Sequence, residues 1–184
     1  MIGPVEVDET YVGGVGSIVR GRGAKRKTIV VIAAEVRGRG PGRIRMAKVP
    51  DLSAISLRAF IKKSVQEGAE IRTDAWSGYN GIDVMGYKHD VTNISASGDP
   101  GHIAMPIVHR VASLFDRWWL GIHKGAIRPA HLDYYLDEFT FRFNRRSSRA
   151  RGLLFYRLMQ QAVNFDPGQR GAIVGGDKNY NYNI

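Results

Sequence analysis

The sequence contains no cysteine, which excludes disulfide bridges, a thiol nucleophile and any zinc site built on thiolates. Histidine and carboxylate side chains are therefore the remaining candidates for metal ligands. No apolar run approaches the roughly 18 residues that suggest a membrane-spanning helix, and the N-terminus lacks a basic segment followed by an apolar one. From these absences we expect a cytoplasmic protein with no membrane partner.

Acidic residues are scarce relative to basic ones. The 184-residue chain holds 27 lysines and arginines against 17 aspartates and glutamates, a formal net charge of +10. Such an excess favours a polyanionic partner, with nucleic acid preferred over a merely basic surface. Hydrophobic residues at 43% and charged residues at 24% are ordinary values, which excludes a disordered chain or a coiled coil.

The basic residues are concentrated in two segments. Ten lie between Arg20 and Lys48 with a single acid, Glu35, and six lie between Arg142 and Arg157 with no acid. Because two separate basic segments suit an extended anionic ligand, we predict that they contact DNA phosphates. The residues predicted to do so are Arg20, Arg22, Lys25, Arg26, Lys27, Arg142, Arg145, Arg146, Arg149 and Arg151.

Alternating and β-branched residues predict three successive strands, Val5–Val12, Thr28–Val36 and Ile44–Val49, connected as an antiparallel meander. Two Arg-Gly-Arg-Gly repeats, at residues 20–23 and 37–40, flank the second strand. Since nine extended residues span roughly 30 Å, we expect these repeats at opposite ends of it. They are interpreted either as phosphate-contacting loops or as solvated hairpin loops.

The rest of the sequence predicts two short strands and mainly helices. An amphipathic helix is predicted at Ser53–Gln66, with Ser53 as its N-cap. Strands are predicted at Glu70–Asp74 and His89–Asn93, a loop at Ser95–Gly101, and helices at Ile107–Lys124, Pro129–Asn144 and Arg149–Val163. Strands followed by helices predict an α/β fold of the α+β type, a mixed sheet with helices packed on it. We expect one domain over residues 1–165 and a frayed tail over residues 166–184.

Two aspartates are candidates for metal chemistry. Asp8 lies in the middle of the first strand, on the same face as Glu6 and Thr10, where strand propensity disfavours it. Asp74 ends its strand directly before a turn, and capping of that turn is the structural alternative. If the fold brings the two together on neighbouring strands, they would suit a pair of Mg²⁺ ions and phosphodiester chemistry.

Three blocks of the sequence resemble the signature blocks of ISXO-like insertion-sequence transposases, which belong to the DDE superfamily. The blocks occupy residues 5–14 (VEVDETYVGG), 73–79 (TDAWSGY) and 131–146 (HLDYYLDEFTFRFNRR), and the resemblance covers residues 4–165. It implies a ribonuclease-H-like catalytic core that cuts and joins DNA ends with two Mg²⁺ or Mn²⁺ ions. It also implies a homodimer in a synaptic complex. Asp8 matches the first catalytic aspartate of the family and Asp74 the second.

The third acid of the family pattern has no direct counterpart. That pattern places a glutamate seven residues ahead of a lysine-arginine pair, and an ungapped match on Arg117 puts His109 at the glutamate position. His109 follows Asp74 by 35 residues, a separation common between the second and third ligands. We therefore predict that His109 is the third catalytic and metal-binding residue. Asp116, Glu138 or no third ligand at all are the alternatives.

Members of this family typically carry an N-terminal region that recognises DNA ends, whereas this chain begins almost directly at the strand with Asp8. Two hypotheses follow from the resemblance. The first is a DNA transposase that cleaves and transfers strands. The second is a truncated, catalytically silent remnant that still binds DNA. A third reading is a ribonuclease-H-like nuclease acting on RNA or hybrids.

Overall fold

The structure is a computed structural model that describes residues 1–13, 27–92, 101–123 and 129–164. The chain divides into two compact units, Met1–Asn144 and Arg145–Ile184, and each is described by itself. The predicted tail, residues 166–184, lies outside the described residues, as do residues 95–100 of the predicted loop. The predicted single domain over residues 1–165 stays a prediction.

The strands and the longer helices of the first unit follow one another in the order that the hydrophobic pattern predicts. Its elements are β1 (Val5–Val12), β2 (Thr28–Arg37), β3 (Gly40–Val49), α1 (Ala54–Ser64), β4 (Glu70–Asp74), β5 (Lys88–Thr92), α2 (Gly101–Ala104), α3 (Pro106–His123) and α4 (Leu132–Asn144). β1 and β4, which carry the two candidate aspartates, have the predicted boundaries.

The strands form a mixed sheet in the order β3-β2-β1-β4-β5. β1 pairs antiparallel with β2, and β2 with β3, which confirms the predicted meander. β4 lies parallel to β1, and β5 parallel to β4. Because parallel strands need a crossover connection, the chain passes through α1 between β3 and β4. The predicted mixed α/β fold is confirmed.

Helices cover both faces of the sheet. Successive side chains of a strand point to opposite faces, so β1 contributes to two separate cores. Val7 packs in a cluster with Leu57 of α1 on one face. Val12 packs on the other face in a cluster with Phe115 of α3 and Phe139 of α4. Asp8 has the parity of Val12 and therefore lies on the face that α3 covers. Its strand, β1, is the central strand of the sheet.

The hairpin between β2 and β3 is tighter than the sequence predicted. β3 begins at Gly40 rather than Ile44, since Arg37 pairs with Gly40 across a turn of two residues. The first of these, Gly38, has φ 58°, a left-handed conformation that such hairpin turns require. The second Arg-Gly-Arg-Gly repeat therefore forms this turn, while the repeat at residues 20–23 lies outside the described residues.

The helices lie at the predicted positions with shifted ends. The Oγ of Ser53 accepts the Ser56 N–H at 3.3 Å, which confirms the predicted N-cap of α1. α4 begins at Leu132 rather than Pro129 because Pro129–His131 forms a 3₁₀ turn. In the second unit, α5 (Arg151–Asn164) begins two residues later than predicted. Among the described residues, no helix combines the length and apolar character needed to cross a bilayer.

Candidate active site

Asp8 and His109 face each other between β1 and α3. The distance from Asp8 Oδ2 to His109 Nε2 is 3.6 Å. The side chains are 19% and 33% exposed respectively, so solvent reaches both and their interaction is only partly screened. The fold therefore brings together the first and third of the predicted site residues, which lie 101 positions apart in the sequence.

Asp74 lies on the strand that neighbours Asp8. β1 and β4 are parallel, and their register pairs Glu6 with Arg72. The paired register of the two strands ends at Glu6 and Arg72. If it continued for two more residues, Asp8 would lie opposite Asp74 on the same face of the sheet, one strand spacing of about 4.8 Å away. The proximity of the two carboxylates therefore stays a prediction.

The buried hydroxyl of Tyr79 lies beside an acid of β1. Tyr79 donates a hydrogen bond to Glu9 Oε2 at 3.2 Å. Burial raises the pKa of Tyr79 well above its usual range, and the negative charges of Glu9, Asp8 and Asp74 raise it further. The phenol of Tyr79 is therefore held in its protonated form beside Glu9.

A tight turn after β4 fixes the orientation of Asp74. Asp74 Oδ1 accepts the backbone N–H of Trp76 at 3.0 Å. Asp74 therefore caps the turn that follows β4, the structural alternative named above. The Trp76 indole N–H donates to the Leu52 carbonyl at 3.2 Å. A Cβ on Gly78 would lie 2.5 Å from that same carbonyl oxygen, so only glycine fits there. The block TDAWSGY therefore holds one carboxylate at the end of β4.

Sequence reasoning missed the part that Glu6 plays. This residue is only 2% exposed, and its Oε2 accepts the N–H groups of Ile107 and Val108 at 2.8 Å each. Both belong to the first turn of α3, where backbone N–H groups lack partners within the helix and negative charge is favourable. Glu6 therefore fixes the start of α3 against β1 and places His109 beside Asp8. The one sequence signal was an acid two positions before Asp8 on the inward face.

The two alternative third ligands lie elsewhere. Asp116 is two helical turns beyond His109, roughly 10 Å along α3. Partial burial raises the pKa of Asp116, and the ammonium group of Lys27 acts against this rise. Glu138 forms an ion pair with Arg142, one turn further along α4, with Oε1 2.8 Å from Nη2.

The donor set at this site fits a divalent cation in part. Two carboxylates on neighbouring strands, completed by waters and substrate phosphate oxygens, are a set that Mg²⁺ would accept if both oxygens reached one ion. Within the described ranges, no group of three or more histidine or acidic side chains is spaced to hold a metal ion. The set of Asp8, Asp74 and His109 thus stays a prediction. Within this set, the two aspartates suit Mg²⁺ better than the histidine does.

The residues predicted to contact DNA are described only in part. Lys27 is exposed directly before β2, and Arg142 is exposed on α4 beside Glu138. In the second unit, Arg145 is half-buried. The other predicted residues of that unit, Arg146, Arg149 and Arg151, are exposed. The predicted residues that lie outside the described part of the chain are Arg20, Arg22, Lys25 and Arg26.

Comparison of the sequence with models of protein families identifies the family of this chain. The family model of the ISXO2-like transposase domain matches residues 1–144, which include both aspartates and His109. This chain belongs to the ISXO2-like transposase family. The transposase resembles the catalytic core domain of BIV integrase with a TM-score of 0.52 at 12% sequence identity, covering 86% of this chain and 97% of that one. The predicted ribonuclease-H-like fold is thereby confirmed. A search of curated proteins found no match.

Proposed function

We propose that this transposase cleaves and joins DNA strands in a reaction that depends on divalent cations, two Mg²⁺ or Mn²⁺ ions, held by Asp8 and Asp74. The observation that supports the proposal is that Asp8 and Asp74 lie on neighbouring parallel strands, whose paired register ends two residues before each of them. Membership of a transposase family and a fold similar to an integrase core support DNA as the substrate.

Each described group has a part in this proposal. When bound, the cations would polarise the scissile phosphate and lower the pKa of the attacking water or 3′-hydroxyl. Asp8 and Asp74 supply the oxygen ligands, and the Trp76 N–H keeps Asp74 in one orientation. His109 is proposed as the third ligand from its place 3.6 Å from Asp8. The net charge of the full chain, +10, would attract the negatively charged DNA strand.

The proposed partners are the transposon ends and the target DNA. The exposed basic residues Lys27, Arg146, Arg149 and Arg151 are proposed to contact phosphates on these strands. Joining two transposon ends to one target needs two active sites. We therefore include a homodimer within a synaptic complex in the proposal.

The test is an assay of strand cleavage and joining with the full chain. Labelled duplexes with terminal element sequences are incubated with a target plasmid in Mg²⁺, Mn²⁺ or EDTA, and products are separated on denaturing gels. We expect nicked and joined products with either cation and none in EDTA. A silent remnant would bind the duplex with steep salt dependence yet give no product with any cation, which contradicts the proposal. Preferential cleavage of RNA strands would contradict it as well.

A carboxylate at position 109 is expected to change the metal preference. Mg²⁺ prefers oxygen ligands, whereas imidazole suits Mn²⁺ better. In the variant His109→Glu, we therefore expect the ratio of Mg²⁺-supported to Mn²⁺-supported cleavage rates to rise about tenfold, or about 1.4 kcal/mol. The variant Asp116→Glu, on the same helix, serves as the control and should leave the ratio unchanged. An unchanged ratio in His109→Glu would remove His109 from the proposed ligand set.

A further inference from the structure

A cavity of about 450 Å³ lies beside the candidate active site, within the first unit. Three arginines line it from three different elements: Arg39 at the β2–β3 turn, Arg72 on β4 and Arg110 on α3. The acid in its lining is Glu6, whose Oε2 is already bonded to two N–H groups of α3. The cavity lining is therefore net positive, and its volume is in the range of small-ligand sites.

Two of the three arginines of this cavity have no acidic partner among the described residues. Arg72 Nε donates to Asp90 Oδ2 at 2.7 Å, which fixes the Arg72 side chain. Arg39 and Arg110 are exposed, and neither has an acidic group within 4 Å in the part of the chain that the structure describes. Gathering three like charges costs Coulomb free energy. An anionic ligand in the cavity would offset that cost.

The cavity runs alongside the candidate active site on the same elements. Glu6 precedes Asp8 by two residues on β1, and Arg72 precedes Asp74 by two on β4. Arg110 directly follows the third site residue on α3. Two residues along a strand span roughly 7 Å, which is comparable to one nucleotide step of an extended DNA strand. A strand held at the two aspartates would therefore present its neighbouring phosphate to the arginines.

We propose that this cavity binds the backbone phosphate next to the one that is cleaved, with Arg39 and Arg110 donating to its oxygens. Arginine suits this role because its planar guanidinium group can bind two phosphate oxygens at once. The inference rests on the proposed function, because that function places the cleaved phosphate beside Asp8 and Asp74.

The first experiment measures binding without cleavage. The affinity of the full chain for a fluorescent single-stranded oligonucleotide is followed by anisotropy in EDTA, at salt concentrations from low to physiological. The double variant Arg39→Gln/Arg110→Gln is compared with Arg43→Gln/Arg45→Gln, which removes two exposed arginines from β3. We expect the cavity variant to bind about tenfold more weakly, with the salt slope reduced by about 0.7. Equal effects of the two double variants would overturn the inference.

The second experiment locates the phosphate. Neutral methylphosphonate groups are placed one at a time along the oligonucleotide. With the wild-type chain, we expect one position next to the cleaved bond to weaken binding, and we expect that effect to vanish in Arg39→Gln/Arg110→Gln. A position-specific effect that persists in the cavity variant would overturn the inference.

The two experiments separate this inference from the proposed function. If no cation supports cleavage but the methylphosphonate effect still depends on Arg39 and Arg110, the phosphate site stands and the catalytic proposal fails. If the chain cleaves DNA but the cavity variant binds like its control, the catalytic proposal stands and the phosphate site fails.

Discussion

Replacing Asp8 or Asp74 with asparagine is expected to lower the rate of cation-dependent strand cleavage by about 10³-fold, or about 4 kcal/mol of activation free energy. Asparagine keeps the size of the side chain but removes the negative charge that a divalent cation requires. The Trp76 N–H can still bond to the amide oxygen at position 74, so the turn after β4 is retained. Rates are measured on the labelled duplex under saturating Mn²⁺.

The matched control for these variants is Asp83→Asn. Asp83 is an exposed aspartate in the 3₁₀ turn at Asp83–Met85, so its substitution changes the net charge by the same amount. We expect the control to cleave within about twofold of the wild-type rate, since distant exposed charges are screened. Wild-type rates in Asp8→Asn or in Asp74→Asn would contradict the assignment of the two carboxylates as ligands.

Removing the buried carboxylate of Glu6 is expected to destabilise the fold. In Glu6→Ala, the N–H groups of Ile107 and Val108 lose their acceptor in a buried environment, which costs about 3 kcal/mol of the free energy of unfolding. Glu6→Gln keeps an acceptor oxygen but loses the charge at the start of α3, and about 1–2 kcal/mol is expected. Both values are measured by urea denaturation as a lower midpoint with an unchanged slope.

An exposed glutamate provides the comparison for Glu6. Glu138 pairs with Arg142 on α4, where its side chain is 41% exposed. Such surface pairs contribute about 1 kcal/mol or less, so Glu138→Ala should be nearly as stable as the wild type. If Glu6→Ala were no less stable than Glu138→Ala, the buried link between β1 and α3 would not be what holds the helix in place.

The strands that carry the candidate aspartates could be predicted because their side-chain pattern is local. In β1, Val5 and Val7 alternate with Glu6 and Asp8, and this alternation with a period of two fixed both the strand and the face of each side chain. β4 ends at Asp74, whose carboxylate accepts the N–H of Trp76 in the turn that follows, and Gly78 marks that turn in the sequence. Local patterns of this kind give element boundaries.

The hairpin and the cavity could not be predicted because they depend on pairing between segments. Arg37–Gly40 has the composition of a loop, yet the register of β2 and β3 reduces it to a two-residue turn and places Arg39 at the cavity. An irregularity in β2 between Ala34 and Val36 shifts that register. Nothing in the local sequence indicates that Arg39 and Arg110 line one site.

The position of α3 against β1 likewise could not be predicted from the sequence pattern. The helix itself was predicted from its apolar stripe, but its contact with β1 depends on Glu6 hydrogen bonds that span 101 and 102 residues. These long-range contacts, together with the 3.6 Å distance between Asp8 and His109, show that His109 lies beside Asp8. If His109 is the third ligand, as proposed, the departure from the family pattern is a change of ligand chemistry at the position where that pattern has a glutamate.

The most direct test of the central claim is anomalous diffraction from crystals of the full chain grown with Mn²⁺. The account predicts an anomalous peak bonded to carboxylate oxygens of both Asp8 and Asp74. A metal bound elsewhere, or two carboxylates too far apart to share an ion at millimolar Mn²⁺, would contradict it.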